Sequence, residues 1–155
     1  MKYFSTYVSM AEVPNEINLC IAISGCPRGC EGCFWDGKDQ DGSILDSNEL
    51  GRLLDANPHV TNVVLLGGDW YSFIHTLGPL VYTIQSKNKK ATIYSGDSIE
   101  KINEYKTIFP DYVKLGPYIK KQGGLNNPNT NQKLFQYDRE IQDYVDITNI
   151  FHRGE

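Results

Sequence analysis

The stretch "EINLCIAISGCPRGCEGCFW", residues 16–35, decides how this chain is read. Its first half places Ile17, Leu19, Ile21 and Ile23 at every second position, the pattern of a β-strand. Its second half holds Cys26, Cys30 and Cys33 within a turn punctuated by Gly25, Pro27, Gly29 and Gly32. The fourth cysteine of the chain, Cys20, lies inside the strand pattern, on the side opposite Leu19 and Ile21. A strand that runs directly into a cysteine-rich turn is the first element of whatever site this protein builds.

Outward from that stretch, strand and helix patterns alternate. In "DSNELGRLLDANP", Asp46 and Glu49 have capping-box spacing and Leu50, Leu53 and Leu54 form one apolar face, so a helix is expected, limited by Pro58. "TNVVLLGGD" is a short continuous apolar run ending in two glycines, as a buried parallel strand does. Phe73, Ile74, Leu77, Leu80, Val81 and Ile84 recur with helical period, and Gly78-Pro79 predicts a break into two short helices. "KATIYSG" reads as the next strand. "DSIEKINEY" reads as a helix with Asp97 and Glu100 as its capping pair and Ile99, Ile102 and Tyr105 inward. "DYVKLGPYI" is a further strand, "KQGGLNNPNTNQK" a long polar loop, and "LFQYD" and "YVDITNIF" late strands. The expected fold is α/β, a mostly parallel sheet with alternating helices and right-handed crossovers. In such sheets ligands bind beyond the carboxyl ends of the strands. The cysteine turn, Gly67-Gly68-Asp69 and Tyr94-Ser95-Gly96 all follow strands and should therefore gather at one end of one sheet.

Composition bounds the class. The chain has 155 residues, 40% hydrophobic and 22% charged, which suits a single domain, 1–155, with one core. A formal net charge of −4 argues against a nucleic-acid partner held by bulk electrostatics. Lys87, Lys89 and Lys90 read as a solvated turn. No apolar run approaches a membrane span, and "MKYFSTYVSM" lacks the apolar centre of a secretory signal. The expected location is the cytoplasm, where thiols stay reduced and a tight cysteine cluster points to metal or redox chemistry.

The cysteine spacing is C-x3-C-x2-C. A structural zinc site needs four closed ligands, and Cys20 reads more simply as a buried, inert thiol. His59, His75 and His152 have no ligand spacing. A cubic iron–sulfur cluster held by three cysteines keeps one iron open for chemistry. The glycines of the turn allow the backbone to wrap closely, and its N–H groups can then tune the cluster. Gly-Gly-Asp has an ordinary reading as a strand-to-helix turn, and Tyr-Ser-Gly as a strand end before a cap.

With these motifs in this order, the chain resembles the radical S-adenosylmethionine (SAM) superfamily and, within it, the activating proteins of the anaerobic ribonucleoside-triphosphate reductases. Ser24, Gly25, Cys26, Cys30, Gly32, Cys33 and Phe34 match that family's cluster loop. "LLGGD" matches its Gly-Gly-Glu, "YSG" its Tyr-Thr-Gly, and "TNQK" its Asn-Gln-Arg, so the likeness runs to about Lys133. Asp69 stands where the family usually has Glu, one methylene shorter, and Trp35 where a small polar residue is common.

The resemblance implies one [4Fe–4S] cluster on Cys26, Cys30 and Cys33, with SAM on the fourth iron. It implies SAM contacts from Gly32, Phe34, Gly67, Gly68, Asp69 and Ser95, and an incomplete radical SAM barrel, since a full eight-unit barrel takes about 250 residues. It also implies a glycyl radical raised on the large subunit of the anaerobic (class III) reductase. No cysteine follows Cys33, so the electron comes from an external donor such as reduced flavodoxin or ferredoxin. The competing readings are another small radical SAM enzyme acting on a different protein or small molecule, a zinc-binding interaction module using Cys20, and a simple electron carrier.

Overall fold

A computed structural model of the chain describes residues 1–24, 41–68 and 74–152. Eight strands form one sheet: β1 (Lys2–Ser9), β2 (Asn18–Ile23), β3 (Ser43–Ile44), β4 (Asn62–Gly68), β5 (Lys90–Ser95), β6 (Tyr112–Leu115), β7 (Lys133–Asp138) and β8 (Asp143–Asp146). Their order is β3-β1-β2-β4-β5-β6-β7-β8. The four central strands, β2, β4, β5 and β6, are parallel to one another. β1 and β3 on one side and β7 and β8 on the other are antiparallel to their neighbours. The sheet is therefore mixed, and the expectation of a mostly parallel sheet holds for its centre alone. The cause is connection length. Antiparallel neighbours can be joined by a short turn, whereas parallel ones need a crossover, and β1–β2 and β7–β8 are joined by short segments with no helix.

Parallel order β2-β4-β5-β6 advances in one direction without a switch point. Right-handed crossovers then place the crossover helices on the same face, unlike those of a doubly wound sheet. α1 (Ser47–Ala56) and α2 (Ile74–Ser86) do bury their apolar residues in one cluster with Leu19, Ile21, Val63, Leu65, Ala91 and Ile93. Among the described residues the sheet is open, with β3 and β8 as its edges.

The capping logic of α1 is as expected: Asp46 accepts from Glu49 N–H at 2.8 Å. The Glu49 carboxylate bonds Arg52 and Tyr3 instead of returning to the cap. α2 is one helix, contrary to the expected break at Gly78-Pro79. Burial of Leu77, Leu80, Val81 and Ile84 contributes roughly 6 kcal/mol or more, against about 3 kcal/mol for an internal proline. The segment Ile99–Thr107 is a 3-10 helix capped by Ser98, not Asp97, because the Asp97 carboxylate is turned to Ser95. The last expected strand is β8 followed by a second 3-10 helix, Thr148–His152. Strand β1 escaped sequence reading because, half-exposed near an edge, "KYFSTYVS" carries no sustained apolar alternation.

The other face of the sheet holds Cys20, Val64, Leu66, Tyr94, Tyr112 and Leu134, covered by Val13, Leu125 and the Ile147–Phe151 region. At the amino ends of the strands this inner face turns polar. Asn62 Nδ2 donates to Asn18 Oδ1 at 2.8 Å, and Thr92 Oγ1 donates to Asn62 Oδ1 at 2.8 Å. Asn18 Nδ2 in turn reaches the carbonyls of Ser9, Val13 and Glu16. All three side chains are fully buried. A satisfied buried network of this kind tolerates one alignment of β2, β4 and β5 and so pins their register.

Candidate iron–sulfur site

Four strand ends make the site. The β2–β4 register pairs Ala22 with Leu66, and Ser24 follows directly on the end of β2. Gly68 pairs with Ser95, and Tyr94 pairs with Lys114. Gly68 and Ser95 thus stand level, Gly116 follows one residue beyond the level of Ser95, and Ser24 follows the end of β2; the carboxyl ends of these four adjacent parallel strands span about 14 Å at ordinary inter-strand spacing. The expected convergence of the three special stretches is met by the parts that are described. Cys26, Cys30, Cys33, Gly32, Phe34, Trp35 and Asp69 lie outside the described residues.

The cysteine segment is tied at both ends. Ser24 N–H donates to Lys2 C=O at 3.0 Å, and Leu45 N–H donates to Met1 C=O at 3.0 Å. β1 separates the two attachments, with Tyr3 paired to Ile23 on one side and Ser43 on the other. Gly42 closes the gap. A side chain there would run into the Tyr3 carbonyl and would sit 2.9 Å from Ser24 Oγ.

Ser95 is buried, and its hydroxyl donates to Asp97 Oδ2 at 3.0 Å while accepting from Asp97 N–H at 3.1 Å. Its donor is therefore engaged within the chain. Asp97 C=O accepts from Gly116 N–H at 2.7 Å, and Gln132 Nε2 donates to Gly116 C=O at 3.3 Å. Gly116 has φ +108°, and a Cβ there would lie 3.0 Å from Gln132 Cα; glycine is required on both counts. The "TNQK" stretch thus reaches the same end of the sheet. The polar loop that contains it is internally bonded: Thr130 Oγ1 donates to Gly123 C=O at 3.1 Å, and Leu125 is buried beneath it.

Of two inner-face residues just below the strand ends, Tyr94 and Lys114, the sequence reading singled out Tyr94 alone. The Lys114 ammonium lies 4.7 Å from the centre of the Tyr94 ring, and Tyr94 Oη donates to Glu12 C=O at 2.6 Å. A lone lysine within the otherwise apolar "YVKL" was the available signal.

Cys20 is fully buried in the inner-face cluster, as its position in the alternation implied. Burial, and then the charge of Glu12, push its thiol up to about 12, against a smaller downward pull from Tyr7. At neutral pH it is a neutral thiol, whereas metal ligation needs the thiolate. Four residues of strand, about 13 Å, separate it from Ser24.

The chain belongs to the 4Fe-4S single cluster domain family, whose match covers residues 17–119. That span holds all four parallel strands and the cysteine segment and leaves out β1, β7 and β8. No curated protein and no solved structure matches the chain. The described frame fits an iron–sulfur cluster: the cysteine-bearing segment is anchored at both ends, and Ser24 Oγ beside it is a buried hydroxyl with no partner among the described residues. Three clustered thiolates are the soft donors iron–sulfur clusters take. No helix among the described residues is long and apolar enough to cross a membrane.

Proposed function

We propose that this chain is a radical SAM activating enzyme that raises a glycyl radical on the large subunit of an anaerobic ribonucleoside-triphosphate reductase. The observation that carries this is the row of strand ends. A C-x3-C-x2-C segment leaves the carboxyl end of β2 beside the carboxyl ends of β4, β5 and β6, where α/β sheets place their ligands. Family membership supplies the 4Fe-4S cluster; SAM, the radical and the protein substrate are our reading.

Cys26, Cys30 and Cys33 would hold the cluster, and three ligands for four irons would leave it able to take SAM. When bound and reduced, the cluster supplies the electron that splits SAM into methionine and a 5′-deoxyadenosyl radical, the species that takes hydrogen from the target glycine. Gly67 and Gly68, without side chains, open the end of β4 to the methionine ammonium, and Asp69 adds a charge-assisted contact. Gly32 and Phe34 adjoin the last cysteine and serve the adenine by backbone and stacking. Ser95, with its proton committed to Asp97, offers an acceptor lone pair. The open edges of the sheet leave room for a protein substrate to complete the enclosure that keeps water from a reactive intermediate. With its one described cysteine outside the cluster segment buried, the chain has no internal relay, so reduced flavodoxin or ferredoxin supplies the electron.

The test is anaerobic incubation with reductant, SAM and the candidate reductase, followed by electron paramagnetic resonance. A glycyl signal on the reductase that requires all three additions is expected. A colourless protein carrying stoichiometric zinc after anaerobic purification ends this reading.

A further inference from the structure

The polar loop between β6 and β7 is built as an Ω-loop, a compact surface loop whose two ends lie together. Gly116 and Gln132 form its neck. A Cβ on Gly116 would lie 3.0 Å from Gln132 Cα. Gln132 Nε2 donates to Gly116 C=O at 3.3 Å, and Asn131 Nδ2 donates to Pro117 C=O at 2.9 Å. Beyond the neck the loop bonds to itself. Gly123 N–H donates to Ile119 C=O at 2.9 Å, Asn127 N–H to Gly124 C=O at 3.0 Å, and Thr130 Oγ1 to Gly123 C=O at 3.1 Å. These bonds survive a swing of the whole loop about its neck. Gly116, at φ +108°, has the backbone freedom to absorb such a swing.

The loop is fastened to the sheet at Leu125. That side chain is 8% exposed and belongs to the inner-face cluster with Leu66 and Tyr94, which lie two residues short of Gly68 and one short of Ser95. Ile150 and Phe151 pack against the same cluster. His152 follows them, with Nε2 3.0 Å from Leu125 C=O. A carbonyl can only accept, so the ring nitrogen donates. An apolar side chain and a hydrogen bond thus meet at one loop residue, a fastening with little buried area, as in elements that open locally.

We propose that residues 117–131 are a lid over the inner face beside the strand ends, hinged at Gly116 and Gln132 and latched at Leu125 by His152. Open, the lid uncovers the side chains just below the strand ends. Closed, it keeps water from them, as closing loops do at reactive sites. The lid rests on the strand register and on the loop itself, not on SAM, the radical or the reductase, so its failure leaves the proposed function untouched.

The experiment is methyl relaxation-dispersion nuclear magnetic resonance on the full, cluster-loaded chain in its oxidised state, since lid opening falls in the microsecond-to-millisecond range. It compares Leu125 with Leu134, which is buried in the same cluster but lies on β7. Expected in wild type is exchange of the Leu125 methyls with a minor, solvated state, without exchange at Leu134. His152→Ala should raise that minor population about two- to tenfold, the effect of one lost hydrogen bond, while the Gly123 and Asn127 amides keep their protection from hydrogen exchange. Absence of exchange at Leu125 in wild type overturns the proposal, and this arm holds even if the variant fails to fold. Matching exchange at Leu134 also overturns it, because the cluster then opens as a whole. So does an unchanged minor population in a folded His152→Ala, which removes the latch, or lost amide protection there, which shows a melting loop instead of a swinging one.

Discussion

Gly68 and Ser95 are register partners at the carboxyl ends of two neighbouring parallel strands, although a whole helix separates them in sequence. A register shift between Leu65 and Gly68 precedes the pairing, so the last residues of β4 depart from the regular ladder just where the glycines lie. Such irregularities recur beside active sites, where they re-aim the chain.

Asp69 follows Gly68 directly in sequence, and under the proposed function its carboxylate would meet the SAM ammonium. Asp69→Ala should leave iron content unchanged and weaken SAM binding ten- to hundredfold, the loss of one charge-assisted hydrogen bond of about 1.5–3 kcal/mol. Isothermal titration with the loaded protein checks this, and an unaltered affinity would assign the contact to the Gly67-Gly68 backbone alone.

Cys26→Ala, Cys30→Ala and Cys33→Ala should each abolish stable cluster loading. Cys20→Ala should retain the full iron content, since its neutral thiol is packed in the inner-face core, and should lose only about 1–2 kcal/mol of stability from a small cavity. Iron analysis with the visible spectrum separates the two outcomes, and iron loss in Cys20→Ala as complete as in the others would sink the three-ligand assignment.

Asn62 bridges Asn18 and Thr92 in the fully buried ladder beneath the site. Asn62→Ala leaves an acceptor and a donor unsatisfied, each at about 1–3 kcal/mol, so a loss of about 2–4 kcal/mol is expected in denaturant unfolding. A change below 0.5 kcal/mol, roughly the effect of an ordinary surface substitution, would show that the ladder does not hold the register.

Burial pushes the Glu16 carboxyl up, but Lys90, Thr61 and Tyr112 outweigh it and leave it below its ordinary 4.5. The Lys90 ammonium, 2.6 Å from Glu16, is held above its ordinary 10.5 by that hydrogen bond. Because the folded carboxyl is depressed, its stabilisation is fully present above pH 4.5 and is lost as pH falls through the folded value. The raised Lys90 value gives a contribution that is lost as pH rises through it, above 10.5. Glu16→Gln should therefore cost about 1–2 kcal/mol at pH 7, discounted because Lys90 is half-exposed, and the gap from wild type should close in acid. Urea titrations of the cluster-free chain at the two pH values measure it without interference from acid loss of iron; a gap that persists in strong acid contradicts the assignment.

Much of this protein was legible because its signals are local. The alternation through Leu19, Ile21 and Ile23 reports a strand with one face in the helix-side core, and the same alternation correctly assigned Cys20 to the other face. Asp46 and Glu49 announce a helix start within four residues. The C-x3-C-x2-C spacing names its chemistry before any fold exists, because iron–sulfur ligation depends on residue type and short-range reach. The order of strands and helices then placed the motifs at one end of a sheet by the handedness of crossovers.

What only the tertiary structure decided are matters of who packs against whom. Whether Pro79 breaks a helix depends on the apolar area that Leu77, Leu80, Val81 and Ile84 bury across the chain. Whether Asp97 caps a helix or binds Ser95 is a competition between two acceptor sites for one carboxylate. The antiparallel strands β1 and β3 are half-exposed or very short, so they carry little periodicity of their own and are strands because a neighbour's edge is there to receive them. The buried hydroxyl of Ser24, without a partner among the described residues, is the extreme case. A serine before a glycine says nothing of burial in sequence, and it is Gly42, closing against Tyr3 beyond the whole cysteine segment, that comes to lie beside its hydroxyl.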